Sequence, residues 1–146
     1  MYSLFVLGTL LEPLLGKLKF TVLYMLSAFG GSIGFLFFGT FGSYVVGASG
    51  AIFGLMGAYL IYLRALRLDA RQMLVIVAIN VVVSFLPGIA WQAHFGGMAA
   101  GILVAYVFTK LSNPTQKTIL WSTISAITAA LFLIWFVGDS MLPSLY

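Results

Sequence analysis

The chain has 146 residues, with 7 Lys and Arg and 3 Asp and Glu, so charged residues make up 7% of it. Hydrophobic residues reach 62%, aromatics 16%, and mean hydropathy is +1.14. A soluble domain carries roughly 25% charged residues, so this composition cannot cover a water-facing surface, and its hydrophobicity excludes disorder as well. The apolar runs are near-continuous rather than alternating, which excludes a transmembrane β-barrel and leaves an all-α, polytopic membrane protein in one membrane domain.

The charges punctuate the chain, and the gaps between them are the candidate spans. The first run, Met1–Leu11, is ended by Glu12 and Pro13. It rises only about 16 Å, too short for a ~30 Å hydrocarbon core. It has neither the basic start nor the cleavage-like end of a signal peptide, and it reads as the last part of a helix. The second run, Phe20–Phe38, is long enough to span, and the Gly-rich stretch Gly39–Ala48 reads as a turn or loop. The third run, Ser49–Leu63, stops at Arg64, and Arg64, Arg67, Asp69 and Arg71 form a polar connection. The fourth, Gln72–Leu86, stops at Pro87-Gly88; the fifth, Ala93–Thr109, stops at Lys110. A polar linker holding Asn113-Pro114 precedes the sixth run, Ile119–Val137.

All seven basic residues fall in three alternate connections: Lys17 and Lys19, then Arg64, Arg67 and Arg71, then Lys110 and Lys117. The opposite connections hold none, which predicts that the basic side is cytoplasmic and that the ends opening at Ser49 and His94 face outward. The pI near 9.6 reports this asymmetry and implies no nucleic-acid partner. The same residues are sufficient as topology signals, although they also suit anionic lipid headgroups. There is no cysteine, so disulfides and thiol chemistry are excluded. One His and three acids argue against a multi-ligand metal site, and no metal or cofactor is expected.

An ionisable residue within a span is a functional candidate by default, and His94 is the one that qualifies. Taken alone, it is as well explained by packing and a bond to a backbone carbonyl. Ser49 changes the balance. Counted from Arg64, it lies about 22 Å above the basic boundary; counted from Lys110, His94 lies about 24 Å above it. Gly50, Gly54 and Gly57 form one stripe on the third run, and Gly97 and Gly101 another on the fifth. Small stripes let helix backbones approach closely, which would bring the Ser49 hydroxyl within reach of an imidazole nitrogen. A Ser hydroxyl needs an adjacent general base to act as a nucleophile, and His is the usual one. The acid of a triad is missing: Glu12 and Asp69 lie on the basic side and Asp139 in the tail, so packing is left to orient the ring. Phe53, one turn after Ser49, is a candidate to stack on it, although core or lipid contact is the commoner fate of such a residue.

The segments Gly47-Ala48-Ser49-Gly50-Ala51-Ile52-Phe53-Gly54 and Ala93-His94-Phe95-Gly96-Gly97-Met98-Ala99-Ala100-Gly101 resemble the rhomboid family of intramembrane serine proteases. Each motif alone is weak; their order and separation of about 45 residues, each opening a helix on the outer side, make the pair specific. The resemblance implies a rhomboid-like helical bundle with five full spans and a partial N-terminal helix. Residues 1–110 would form a partial core, 111–118 a linker and 119–137 an extra C-terminal helix. It implies Ser49 as nucleophile and His94 as base, with the Ser49 N–H, Gly47, Gly50 and Phe53 supporting the oxyanion site. Gly54, Gly57, Gly97 and Gly101 would pack the helices. Substrates would be transmembrane segments of other proteins in the lipid bilayer, cut near their outer ends, and the setting a bacterial plasma membrane. The family's second helix carries a His-x-x-x-Asn motif whose Asn would fall immediately before Met1. On that basis the 146-residue chain is expected to be weakly active or inactive alone. The competing readings are a rhomboid-like pseudoprotease that binds helices without cutting, and a small transporter or channel subunit, for which Asn80 is the best polar support.

Overall fold

The computed structural model describes residues 2–39 and 48–141. They form six α-helices: α1 (Tyr2–Leu15), α2 (Lys17–Phe38), α3 (Ser49–Ala65), α4 (Arg71–Val83), α5 (Trp91–Lys110) and α6 (Lys117–Met141). A single 3-10 turn, Pro114–Gln116, leads into α6, and no strand occurs among the described residues. The chain is an all-α membrane bundle, and α2 and α6 are each long and apolar enough to cross a bilayer unaided.

Several boundaries depart from the apolar runs: α2 already begins at Lys17, α6 continues to Met141 and so takes in Asp139 instead of leaving it in a tail, and two further ends have local causes. α1 continues through Pro13 to Leu15 instead of stopping at Glu12. Proline removes one helical hydrogen bond but does not forbid a final turn, and the helix is instead closed by Gly16. That residue sits at φ 75° while its N–H donates to the Glu12 carbonyl at 2.8 Å, so one residue reverses the chain into α2. α4 has only 13 residues and ends at Val83, short of the Leu86 that the run suggested. Pro87 disfavours helix in the residue before it, and the chain passes into turns in which Gly88 adopts φ 83°.

α2, α3 and α5 make the centre of the bundle. α3 and α5 run parallel, with Gly97 against the Gly50 backbone and Gly101 against the Gly54 backbone in one register. α2 runs antiparallel to α5: Gly30 faces Ala100 and Gly96, and Gly34 faces Gly96 and Gln92. Gly31 closes the triangle, lying against the Ala93 carbonyl and Gly50. The small residues Gly30, Gly31 and Gly34 on α2 carry as much of this packing as the stripes on α3 and α5. Toward the basic end larger side chains make the core, with Leu11, Leu23, Leu55, Val104 and Phe108 essentially inaccessible. Around the outside, Val75, Ile79 and Val82 on α4 and Phe132, Leu133 and Phe136 on α6 are exposed apolar side chains. They suit lipid as solvent. α6 leans on α2 through Phe29, whose ring centroid lies 6.4 Å from Phe132 and 6.3 Å from Trp135.

The close approach makes a signed prediction. A Cβ on Gly97 has no room against the Gly50 carbonyl, whereas one on Gly8 would meet its nearest neighbour, Phe20 Cζ, at 3.7 Å. Gly97→Ala should lower stability by about 1–3 kcal/mol, the usual range for overpacking. Gly8→Ala should be neutral or raise it by about 0.5–1 kcal/mol through helix propensity. Unfolding titrations in mixed micelles would measure both, and equal effects would contradict the packing.

Candidate active site

Ser49 opens α3 and is half-buried. The first helical bond of that segment runs from the Ile52 N–H to the Ala48 carbonyl at 3.0 Å. Among the described residues the amides of Ser49, Gly50 and Ala51 have no acceptor, and they lie at the positive end of the helix. Gly47 lies outside the described residues.

His94 sits in the first turn of α5 and is 8% exposed. Phe53, one turn after Ser49 on the same side of α3, stacks on it: the ring centroids are 4.2 Å apart and the planes 11° from parallel. The glycine register brings this contact about. Because Gly50 and Gly97 meet backbone to backbone, the N-terminal turns of α3 and α5 lie side by side. Helical side chains lean back toward the N-terminus, so Phe53 reaches up to the imidazole. Ser49 stands one turn before Phe53, at the start of α3.

The imidazole makes one hydrogen bond among the described residues, and its partner is Ser84. The Ser84 Oγ lies 2.7 Å from His94 Nδ1, and Ser84 is fully buried. The glycine stripes predict the Ser49 hydroxyl within reach of an imidazole nitrogen; among the described residues the hydroxyl bonded to the ring is that of Ser84, on Nδ1. Ser84 caps the C-terminal end of α4, and its own hydroxyl donates to the Asn80 carbonyl at 2.8 Å. Nothing in its spacing marks it: it ends an apolar run next to Phe85, and only the turn at Pro87-Gly88 folds it back onto α5. That turn is held by an aromatic cluster in which Phe85, Trp91 and Phe95 have pairwise centroid distances of 5.9 Å. Gln92 adds a tether, its Nε2 donating to the Phe38 carbonyl at 2.9 Å and joining the ends of α2 and α5.

Beside these residues lies a cavity of about 220 Å³ lined by Ala28, Gly31, Ser32, Phe35, Gly50, Ala51 and Ala93. Gly50 and Ala93 are the chain neighbours of Ser49 and His94. The acids are placed elsewhere: Asp69 is in the α3–α4 connection, where its Oδ1 accepts from the Arg71 N–H at 2.9 Å. Asn80 donates to the Ile76 carbonyl of its own helix at 2.8 Å rather than bridging to a neighbour. No group of three or more His, Cys, Asp or Glu able to hold a metal occurs among the described residues.

A helical membrane bundle with this pairing of small-residue helices matches one family closely. The family model described as the Rhomboid domain matches residues 1–111. RHOMBOID-like protein 1 of Arabidopsis thaliana is 42% identical over 115 residues, 74% of this chain and 29% of that protein. RHOMBOID-like protein 5 of the same plant is 37% identical over 116 residues, covering 73% of this chain and 37% of the relative. Rhomboid protease GluP of Bacillus subtilis (strain 168) is 33% identical over 109 residues, 70% of this chain and 21% of that protein. The chain belongs to the rhomboid family, and it spans well under half the length of these relatives. They come from a plant and a bacterium, so the likeness does not single out a bacterial membrane. No solved structure matches the chain.

The Phe53 stack can be read directly, because the chain has one histidine. In selectively labelled protein the His94 ring protons should be shifted upfield by the Phe53 ring current. Phe53→Leu should return them toward the shifts of an exposed histidine. Unchanged shifts in the variant would contradict the stacked geometry.

Proposed function

We propose that this chain carries the Ser–His dyad of an intramembrane serine endopeptidase, with Ser49 as nucleophile and His94 as general base. The observation that supports it most is the position of His94: buried, stacked on Phe53 one turn from Ser49, and bonded through Nδ1, with no partner on Nε2 among the described residues. Family membership and the name of the bacterial relative, a rhomboid protease, support the same class.

In this reading the Ser49 Oγ attacks the scissile carbonyl carbon as Nε2 of His94 takes its proton. The negative charge that forms on the carbonyl oxygen meets the amides at the start of α3, from Ser49 and Gly50, at the positive end of the helix. Gly47, outside the described residues, belongs to the same proposed oxyanion support. The imidazolium then gives its proton to the leaving amine, and water, for which the 220 Å³ cavity has room, releases the acyl group by the reverse path. The substrate class is a transmembrane segment of another protein, cut near the end of the bilayer at which α3 and α5 begin. The clustering of basic residues in the opposite connections supports an extracytoplasmic position for that end. Gly54, Gly57, Gly97 and Gly101 act by holding α3 against α5. The transporter reading rests on Asn80, whose amide donates one bond within α4. A pseudoprotease would keep the same geometry without turnover.

The test is a serine-directed fluorophosphonate on the protein in its membrane, together with cleavage of a reporter transmembrane substrate. Ser49→Ala should abolish both signals. His94→Ala should slow both by at least about 10²–10⁴-fold, the usual worth of a general base. Labelling that survives Ser49→Ala would sink the assignment, and a parent protein that binds the reporter without labelling or cutting would favour the pseudoprotease.

A further inference from the structure

We infer that Ser84 is a positioning residue that fixes the tautomer of His94, holding its proton on Nδ1 and keeping the Nε2 lone pair open toward the site. The value of this tautomer for catalysis rests on the Ser49–His94 reading above; its existence does not.

The argument is one of counting protons. A hydroxyl has a single hydrogen to donate and two lone pairs to accept with. Among the described residues the Ser84 hydroxyl has two polar neighbours at bonding distance: the Asn80 carbonyl at 2.8 Å, which can only accept, and His94 Nδ1 at 2.7 Å, which can do either. Ser84 is fully buried, so water does not supply a further partner. If Ser84 spent its proton on Nδ1, its oxygen would face the Asn80 carbonyl oxygen with no hydrogen between them. If it spends the proton on Asn80, its lone pairs face Nδ1 and are satisfied only when that nitrogen carries a hydrogen. The chain Nδ1–H to Oγ–H to carbonyl is the arrangement in which every group is used, and hydrogen bonds in such a chain strengthen one another. A neutral imidazole protonated on Nδ1 has its basic lone pair on Nε2.

The acid of a serine-protease triad does the same job through a carboxylate. A buried carboxylate among apolar helices is costly, and a hydroxyl tied to a helix carbonyl sets the tautomer without a buried charge. Its position also carries a field: Ser84 caps the C-terminal end of α4, whose last carbonyls form the negative pole of that helix. That pole favours the imidazolium at the moment it forms. The aromatic cluster of Phe85, Trp91 and Phe95 explains how a residue ten positions before His94 is held in place.

The single histidine makes the test clean. Nitrogen-15 histidine would be incorporated into the 146-residue chain in lipid nanodiscs and the ring nitrogens read at a pH where the imidazole is neutral. The inference expects a protonated-type signal at Nδ1 and an unprotonated-type signal at Nε2. In Ser84→Ala the Nε2–H form should become the major species, and Ser84→Thr, which keeps the hydroxyl, should restore the parent pattern. A parent spectrum dominated by the Nε2–H form overturns the inference without any variant, and so does a Ser84→Ala spectrum identical to the parent. In the fluorophosphonate assay Ser84→Ala should slow labelling by about 10–10²-fold, within the range that base catalysis supplies, with Ser84→Thr close to the parent. A tautomer that shifts as expected while His94→Ala leaves labelling unchanged would uphold Ser84 as the anchor of the ring and overturn the dyad instead.

Discussion

The backbone contact between α3 and α5 is the constraint on which the rest depends. Between membrane helices there is no hydrophobic drive to associate, because lipid tails are as apolar as the side chains, and close packing has to supply the attraction. Gly97 on Gly50 and Gly101 on Gly54 let two parallel helices touch main chain to main chain. That contact fixes their register as well as their distance. The turn carrying Ser49 and Phe53 and the turn carrying His94 are therefore side by side as a consequence of residues that carry no chemistry of their own.

Orientation of the imidazole is a second, separate matter, and two weak interactions divide it between them. Phe53 covers a face of the ring and sets its plane. Ser84 bonds one edge and sets which nitrogen is occupied. Neither group is charged, which fits a site lined by apolar helices where an unpaired carboxylate would be expensive. The bond to Ser84 also ties in α4, a helix whose only buried residue is Met73 and whose outer face is otherwise apolar. The end of α4 thus joins the candidate site even though its body packs little against the bundle.

The legible part of this fold was what depends on local periodicity and charge. The apolar runs mark all six helices, and the glycine spacings on α3 and α5 mark the faces that meet. The errors at helix ends have local causes: Gly16 rather than Pro13 closes α1, and the turn leading to Pro87 shortens α4. The glycines of α2 were readable by the same rule of small residues at Gly30, Gly31 and Gly34. Ser84 was not readable in that way. It has no periodic or motif signal, and its partner is reached only through a turn whose path is set by tertiary packing of three aromatic rings. Ser49 and His94 could be named from spacing, whereas the hydrogen bond that orients the ring needed coordinates.

The central claim is that Ser49 and His94 act on one reacting centre. The most direct measurement is a structure of the protein after reaction with a fluorophosphonate. The account predicts a covalent bond from Ser49 Oγ to phosphorus, His94 Nε2 within about 3 Å of the adduct, and Nδ1 still on Ser84. An adduct on another residue, or one on Ser49 with the His94 ring turned away and out of hydrogen-bond reach, would contradict it.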